Sequence, residues 1–343
     1  LYPAFGNLVA RDVAARHIIQ VVDAGLGIDG KKQVYLDVTG LDGKTHRKLE
    51  AILDIYHKFT GDDPRSVPMK IFPAVHYTMG GIWVDWPATG DPDRFERYRH
   101  MTNISGLFAA GECDFQYHGA NRLGANSLLS CIYSGMVAAN EISFFADDLK
   151  VRYEDVGVRC FEEAEAKEIA IKQDLLSRKG NENVHALHDE LANIMVSNCT
   201  VVRSNQGLKE AISKIQQIKD RFRNISLDDK GALLNQTYQF ANQFGPMLDL
   251  ALTIAKGALL RDEFRGAHFK REFSERDDKN WLKTTVATFD PDSNEPKISY
   301  FPVDVRHIKP VERDYTKGKR SVPKLENVPP VIPLVTEKDY GRR

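Results

Sequence analysis

The segment HGANRLGANSL (118–128) joins a glycine- and asparagine-rich loop to a long apolar run, and it is the most informative stretch of the chain. Gly119 and Gly124 allow the backbone to approach another group closely. Ser127 has a side chain typical of an N-cap, so a helix is predicted from about that residue. The free N–H groups of such a helix start suit a phosphate, a carboxylate or an electron-rich ring, and Arg122 adds a cation in the loop before it.

Two further segments have a similar character. GNLVARDVAAR (6–16) places Arg11 ahead of an apolar helical pattern, and PAVHYTMGG (73–81) places His76 at the end of a predicted strand. Taken alone, Arg11 has a simple interpretation as a solvated charge, because arginine is mostly exposed. His76 alone is equally well a histidine satisfied by hydrogen bonds at a strand end. Together, the three segments are far more specific than any of them is alone.

The rest of the chain changes character near residue 150, from mixed helix and strand to mainly helix. Asp12 and Gly25 are expected to begin and end the first helix, and residues 150–265 predict three or four antiparallel helices. The polar stretch 87–100 reads as a surface insertion, and the proline-rich basic end as an extended tail. The other predictions are a helix over 47–60 and strands over 33–38, 69–75, 82–86, 104–110, 284–289 and 297–305.

Composition excludes several classes of protein. A hydrophobic content of 42% and a charged content of 28% are ordinary for a soluble globular protein, and a net charge of -1 gives no sign of nucleic-acid binding. No uninterrupted apolar run approaches the ~18 residues of a membrane helix. Four dispersed cysteines without C-x-x-C speak against zinc or iron–sulfur ligation by this chain and suit a reducing compartment. Because it opens Leu1-Tyr2-Pro3 without Met, we expect it to start inside a longer protein.

The sequence GLGIDG (25–30) matches the G-x-G-x-x-G pattern of dinucleotide-binding proteins. That pattern needs a strand before it and a helix after it. Here a helix is predicted before it and a strand after it, so we interpret it as a helix end followed by a turn.

Several polar residues near these segments have weaker claims to function. Asp114 and Tyr117 are expected on the loop surface, and His118 is expected to orient the loop. His185 and His188 lie three residues apart on a predicted helix. A metal site there is conceivable, but without a third ligand a solvated helix face is favoured.

The three segments resemble the flavoprotein subunits of succinate dehydrogenase and quinol:fumarate reductase. Residues 76–81 match the family's HYTMGG, and 111–112 with 118–128 match its GE and HGANRLGxNSL motifs. RDVAAR (11–16) matches RDxxxR, and RGAH (265–268), RDD (276–278) and WL (281–282) match its C-terminal motifs. The resemblance covers essentially the whole chain. Phe264 stands where many members have serine, and we expect a packing consequence.

The resemblance implies roles for three residues toward a four-carbon dicarboxylate, succinate or fumarate. Arg11 matches the proton-transfer arginine, while His76 and Arg122 match groups that grip the substrate carboxylates. Arginine suits this role because its planar fork fits a carboxylate. As a Brønsted acid, Arg11 has a reference pKa of ~12 or above and therefore needs a relay carboxylate. That carboxylate and a further substrate histidine are expected N-terminal to Leu1.

The resemblance also implies FAD as the cofactor. Glu112 matches a carboxylate that contacts FAD, and Asn126, Ser127 and Leu128 match contacts at the helix start, whose N–H groups would stabilise the reduced ring. Gly80 and Gly81 would let the backbone pass close to the ring. No metal ligands are expected.

The implied fold is α/β plus α. Residues 1–66 would be the end of an α+β capping domain, and 67–145 the returning C-terminal part of a Rossmann-like FAD-binding domain. An antiparallel helical bundle (146–266) and a small C-terminal domain (267–343) would follow.

The resemblance implies electron transfer to an iron–sulfur subunit and, through a membrane-anchor cytochrome b subunit, to quinone. The chain would then lie peripherally on the cytoplasmic side of the inner membrane. Two alternatives stay open: an L-aspartate oxidase-like flavoenzyme, and a non-catalytic docking fragment lacking the segment that binds the ADP half of FAD. The physiological direction and covalent attachment of FAD are also open.

Overall fold

The computed structural model describes residues 9–86, 97–231, 233–293, 295–306 and 308–311. Within them the chain forms two compact units, with the division between Val75 and His76. The predicted division into four domains stays a prediction.

The first unit contains helix α1 (Arg11–Asp23), strand β1 (Val34–Leu36), helix α2 (Gly43–Thr60) and strand β2 (Met69–Ile71). The two strands pair antiparallel, with Val34 opposite Ile71. Asp42 caps α2 by accepting from the Thr45 N–H at 2.6 Å. The small core consists of Val38, Leu53 and Met69.

The ends of α1 follow the predictions only in part. Gly25 lies just beyond the helix with φ +76°, and since α1 precedes GLGIDG and β1 follows it, the helix-end interpretation is confirmed. The prediction that Asp12 caps α1 is wrong. Ala10 occupies the N-cap position, and Asp12 pairs with Arg16 one turn later at 3.2 Å.

The second unit opens with irregular segments that lead into helix α3 (Asn126–Asp148). The strands predicted over 82–86 and 104–110 are wrong, because only isolated bridges form there. Ile82 N–H donates to Cys113 O at 2.7 Å, and Asp85 N–H donates to Met101 O at 2.8 Å. Each partner segment is too short for a continuous ladder. Of the predicted insertion, residues 87–96 lie outside the described residues.

Helix α3 is the one described helix that is long and apolar enough to cross a membrane, which the sequence did not lead us to expect. This is weak evidence by itself, since core helices of soluble proteins meet the same criterion. Glu141 in the middle of α3 is fully buried and pairs with Arg99 at 2.6 Å. A buried carboxylate held by a cation of the same unit favours α3 as a helix of this fold.

The helical bundle is confirmed, with α4 (Arg159–Ser177), α5 (Val184–Asn198), α6 (Asn205–Arg221) and α7 (Gln236–Leu259). Side-chain caps begin three of these helices, from Asn183, Ser204 and Asn235. The apolar positions at helical spacing form one core. Its fully buried members include Leu187, Leu208, Ile215, Ile218, Phe244, Leu248 and Leu252, each stabilising the fold by about 1.5–3 kcal/mol.

The C-terminal part contains a short helix α8 (Asp278–Trp281) and the antiparallel hairpin β3 (Lys283–Asp290) and β4 (Glu295–Pro302). Both strands agree with the sequence prediction. Phe264 packs edge-on against Phe269, with ring centroids 5.6 Å apart. The predicted proline-rich tail, with Pro323, Pro329, Pro330 and Pro333, lies outside the described residues.

Candidate functional site

The loop 118–125 is built from tight turns that end at the start of α3. Asn121 N–H donates to His118 O, and Asn126 N–H donates to Leu123 O, both at 3.3 Å. Ala125 has φ +65° and occupies the N-cap position without a side-chain cap. The helix therefore begins at Asn126, and the prediction that Ser127 is the N-cap is wrong, because the turn closes one residue earlier.

Arg122 is a half-buried cation without a carboxylate partner among the described residues. Its guanidinium lies 5.0 Å from the centre of the Tyr77 ring, and Nη1 donates to Leu123 O at 3.3 Å. Its Nε is shielded from solvent and has no hydrogen-bond partner in the described structure. A buried polar atom left unpaired costs free energy, so Arg122 retains donors for an anionic ligand.

A hydrogen-bonded group of side chains lies beneath Arg122. His118 Nε2 is 3.0 Å from Ser130 Oγ and 3.2 Å from the Tyr77 hydroxyl. Ser130 itself donates to Ser127 O at 2.7 Å. Burial, and then the charge of Arg122, lower the pKa of His118. A neutral His118 therefore ties the loop to α3 and to residue 77, consistent with its predicted orienting role.

Glu112 links the GE segment to the HYTMGG segment. Its Oε1 accepts from the Thr78 N–H at 2.8 Å, and the side chain is exposed. Gly81 has a requirement that the sequence did not reveal, since a Cβ there would lie 2.4 Å from Cys113 O. Gly80 meets nothing within 4 Å. The close backbone approach of Gly81 is thus to this chain's own residues 113–114.

A buried polar cluster behind the loop was missed by sequence reasoning. The expectation that Asp114 and Tyr117 lie on the loop surface is wrong, because Asp114 is buried and Tyr117 is half-buried. His100 Nδ1 donates to Ala109 O at 2.9 Å, so Nε2 accepts from the Tyr117 hydroxyl at 2.5 Å. Burial lowers the pKa of His100 and raises that of Asp114. His100 falls in a charged, polar stretch, so no apolar pattern marked it as buried.

The first turn of α3 combines free N–H groups with an apolar surface. No side chain of the described residues caps the helix start, so the N–H groups that follow Asn126 have no side-chain acceptor there and the partial positive charge of the helix end is not neutralised. Leu128 and Leu129 in this turn are 75% and 62% exposed. Such a surface fits a flat, electron-rich ring with an anionic edge.

The remaining predicted site residues, Arg11 and His76, are both exposed. Arg11 is the first residue of α1 and belongs to the first unit, whereas His76 opens the second. The structure brings the segments of His76, Glu112, Arg122 and the start of α3 into one unit. The position of Arg11 relative to them stays a prediction.

No cluster of three potential metal ligands occurs in the part of the chain that the structure describes. His185 and His188 pack against Phe240, with ring centroids 4.5 and 5.3 Å away. Their helix face is therefore partly covered by α7, rather than wholly solvated as expected.

Two family models match the chain. Residues 3–128 match the FAD binding domain model, and residues 188–315 match the model of the fumarate reductase flavoprotein C-terminal region. The first match ends at the start of α3, where the predicted cofactor contacts lie. It confirms FAD as the predicted cofactor.

Curated relatives are similar over most of the chain. The succinate dehydrogenase flavoprotein subunit of Bacillus subtilis is 48% identical over 320 residues, which cover 93% of this chain and 53% of the relative. The fumarate reductase flavoprotein subunit of Haemophilus influenzae is 34% identical, over 83% of this chain and 45% of the relative. The chain thus spans about half the length of these relatives.

Solved structures are similar in fold and confirm the predicted fold class. A mutated Escherichia coli quinol fumarate reductase superposes with a TM-score of 0.77 and 29% identity, covering 89% of this chain and 50% of that one. Mycobacterium smegmatis Sdh1 gives a TM-score of 0.69, also at 29% identity, over 87% of this chain and 47% of its own. The chain belongs to the family of succinate dehydrogenase and fumarate reductase flavoprotein subunits.

Proposed function

We propose that this chain belongs to an enzyme that interconverts succinate and fumarate. It would supply residues that bind the dicarboxylate and residues that contact the edge of the flavin ring. One observation carries the proposal: Arg122 is a half-buried arginine with an unpaired Nε, in a loop that runs directly into an uncapped helix start. This arrangement gathers positive charge that the described residues do not neutralise. The names of the relatives agree with it.

The residues at the start of α3 fit the flavin part of FAD. The N–H groups near Ser127 suit the electron-rich edge of the ring, and the exposed Leu128 suits its apolar face. Asn126 and Glu112 are the further proposed contacts, on the helix start and on the 3₁₀ turn at 111–113. When bound, FAD would supply the hydride acceptor for succinate oxidation and the hydride donor for fumarate reduction.

Arg122 and His76 would hold the substrate carboxylates. The fork of Arg122 can donate two parallel hydrogen bonds to one carboxylate. Rigid donors that polarise one carboxylate stabilise the transition state more than the ground state. This is because negative charge develops on that carboxylate during hydride exchange. The Tyr77–His118–Ser130 group keeps the underside of this loop fixed.

Arg11 would exchange a proton with the neighbouring substrate carbon. It takes part in no ion pair among the described residues, while Asp12 beside it is already paired to Arg16. A group of reference pKa ~12 works as an acid only when held against the reacting carbon and relayed to a carboxylate.

The proposal extends to partners and place. Electrons would pass to an iron–sulfur subunit and then, through a cytochrome b membrane anchor, to quinone. The protein would lie peripherally on the cytoplasmic side of the membrane. Support comes from the quinol fumarate reductase among the structural neighbours and from the curated succinate dehydrogenase relative.

The proposal is tested with Arg11→Lys in the full-length protein. We expect dye-linked succinate oxidation to fall at least ~100-fold, the scale of general acid–base catalysis, while bound flavin measured by absorbance is unchanged. Arg47→Lys, an exposed arginine on α2 of the same unit, is the matched control. Near-normal turnover of Arg11→Lys would contradict the proton-transfer role.

Further measurements on the full-length protein separate the alternatives. Oxidation of L-aspartate with oxygen, without succinate turnover, would identify an aspartate oxidase-like enzyme. A full-length protein that retains no flavin but binds an iron–sulfur subunit would identify a docking module. Either result would overturn the proposed function.

A further inference from the structure

Residues Arg265–His268 form a tight hairpin turn in the second unit. Arg265 N–H donates to His268 O at 3.0 Å, and His268 N–H donates to Arg265 O at 2.9 Å. Gly266 at the first central position has φ +59°, a conformation that glycine adopts without steric cost. We call these four residues the RGAH turn.

The first end of the RGAH turn is fixed by carboxylates. Arg265 Nε donates to Glu263 Oε1 at 2.8 Å, and Nη2 donates to Asp278 Oδ1 at 2.7 Å. Glu263 is almost completely buried. Charge-assisted bonds in a buried setting hold this end in one position.

The second end is fixed by the His268 ring. A guanidinium only donates, so His268 Nδ1 accepts from Arg203 Nη1 at 2.6 Å. Nε2 therefore carries the proton and donates to Arg261 O at 2.9 Å. Both ring nitrogens are thus used within the fold, and neither is left for a ligand.

Gly266 and Ala267 form the tip of the RGAH turn, and this tip contacts the loop that carries Arg122. Ala267 N–H donates to Ala120 O at 2.9 Å. A Cβ on Gly266 would lie 2.4 Å from Ala120 O and 2.6 Å from Ala120 C. Arg122 follows two residues after Ala120, and among the described residues its side chain makes one hydrogen bond, at 3.3 Å. The place of Arg122 therefore depends on the backbone that the tip contacts, as well as on the Tyr77 ring.

We propose that the RGAH turn is a positioning device for the dicarboxylate site: its tip holds Ala120 and thereby sets the guanidinium of Arg122 for the substrate carboxylate. This inference rests on the proposed function for the role of Arg122. It assigns a task to four residues that are not among the proposed substrate and cofactor contacts. It also explains why the second residue of the turn must be glycine.

The test is Gly266→Ala in the full-length, FAD-loaded protein, with fumarate titrated against the oxidised form and followed by the flavin spectrum. The added Cβ must displace Ala120. A misplacement of about 1 Å can lower the effectiveness of a positioned group up to ~100-fold. We expect the Kd for fumarate to rise ~10- to 100-fold, with flavin content unchanged. Gly61→Ala is the matched control, since Gly61 has φ +80° but nothing within 4 Å of a Cβ.

A second readout, amide hydrogen exchange of residues 118–126, does not depend on substrate binding. Faster exchange there in Gly266→Ala, but not in Gly61→Ala, together with weaker fumarate binding, supports the proposal. Unchanged exchange, or unchanged fumarate affinity in a variant whose loop exchange has increased, overturns it. Wild-type protein that binds no fumarate overturns the proposed function instead, while the exchange data still report on the turn.

If Gly266→Ala fails to fold, an ester in place of the amide of residue 267 decides the question. Incorporating lactic acid at that position removes only the N–H that donates to Ala120 O and leaves both bonds between residues 265 and 268. Weaker fumarate binding with increased exchange over 118–126 supports the positioning role. Wild-type affinity in the ester variant excludes it.

Discussion

Arg122 and Arg265 lie in the same unit and have opposite surroundings. Arg265 is bound by the carboxylates of Glu263 and Asp278, whereas Arg122 has a ring face, one carbonyl and an unpaired Nε. Both arginines belong to motifs of the same family, and both are half-buried. The difference teaches that a motif arginine with its own anions stabilises the fold, while one without an anion remains available for a ligand.

The largest expected effect concerns the carboxylates that pair with Arg265. Glu263 is 1% exposed and accepts from both Arg261 and Arg265, so Glu263→Ala leaves two cations short of an anion. We expect the free energy of unfolding to fall by about 3–5 kcal/mol, measured by urea denaturation.

The control for this change is Glu163→Ala, which removes an exposed ion pair to Arg159 and should cost no more than about 1 kcal/mol. Equal losses for Glu163→Ala and Glu263→Ala would break the comparison, because the carboxylates around Arg265 would then be no more important than surface charges.

The next effect concerns Arg122, which has no carboxylate partner among the described residues. Arg122→Ala should weaken binding of succinate and fumarate about 100-fold, since charge-assisted hydrogen bonds contribute roughly 1.5–3 kcal/mol each. Its free energy of unfolding should change by less than about 1 kcal/mol, the scale of its contact with Tyr77. Calorimetric titration and thermal denaturation measure the two quantities.

Arg159→Ala, on the exposed face of α4, is the control for Arg122→Ala; it should leave succinate affinity unchanged and should lower stability no more than Glu163→Ala, which breaks the same ion pair. A large loss of stability with unchanged succinate affinity in Arg122→Ala would show that Arg122 is a structural residue like Arg265.

The last effect appears only at acid pH. Burial, followed by the charge of Arg203, lowers the pKa of His268 from 6.5 to about 4. The native ring is neutral at pH 7, and below pH 6.5 the unfolded chain binds the proton first. Stability should therefore fall as pH falls from about 6.5 to about 4, by up to about 3 kcal/mol.

His268→Gln should lower stability at pH 7 but lose this part of the pH dependence, as measured by denaturation at several pH values. His57→Gln, on the exposed end of α2, should keep the wild-type pH dependence. An unchanged slope in His268→Gln would mean that other groups cause the acid sensitivity, and would weaken the view of the RGAH turn as a fixed support.

Periodic apolar positions were sufficient to predict α5 and α6 and their part of the bundle core, because each of these helices buries one continuous stripe. The glycine-rich motif likewise identified the loop before α3, and the helix-strand order around GLGIDG was enough to set aside a dinucleotide fingerprint. In these places local propensity and tertiary packing agree. Family resemblance, carried by motifs of a few residues, supplied the roles proposed for Arg11, His76 and Arg122.

Other features were decided only by the tertiary structure, since they depend on partners far apart in the sequence. No local pattern shows that His100 and Asp114 are buried together, that α3 begins at Asn126 after a left-handed Ala125, or that Gly81 must clear Cys113. The contact between Ala267 and Ala120 joins residues 147 positions apart. The sequence determined which residues are able to bind a carboxylate, and the fold decided which of them keep their charge unpaired, because only three-dimensional proximity supplies or withholds a neutralising partner.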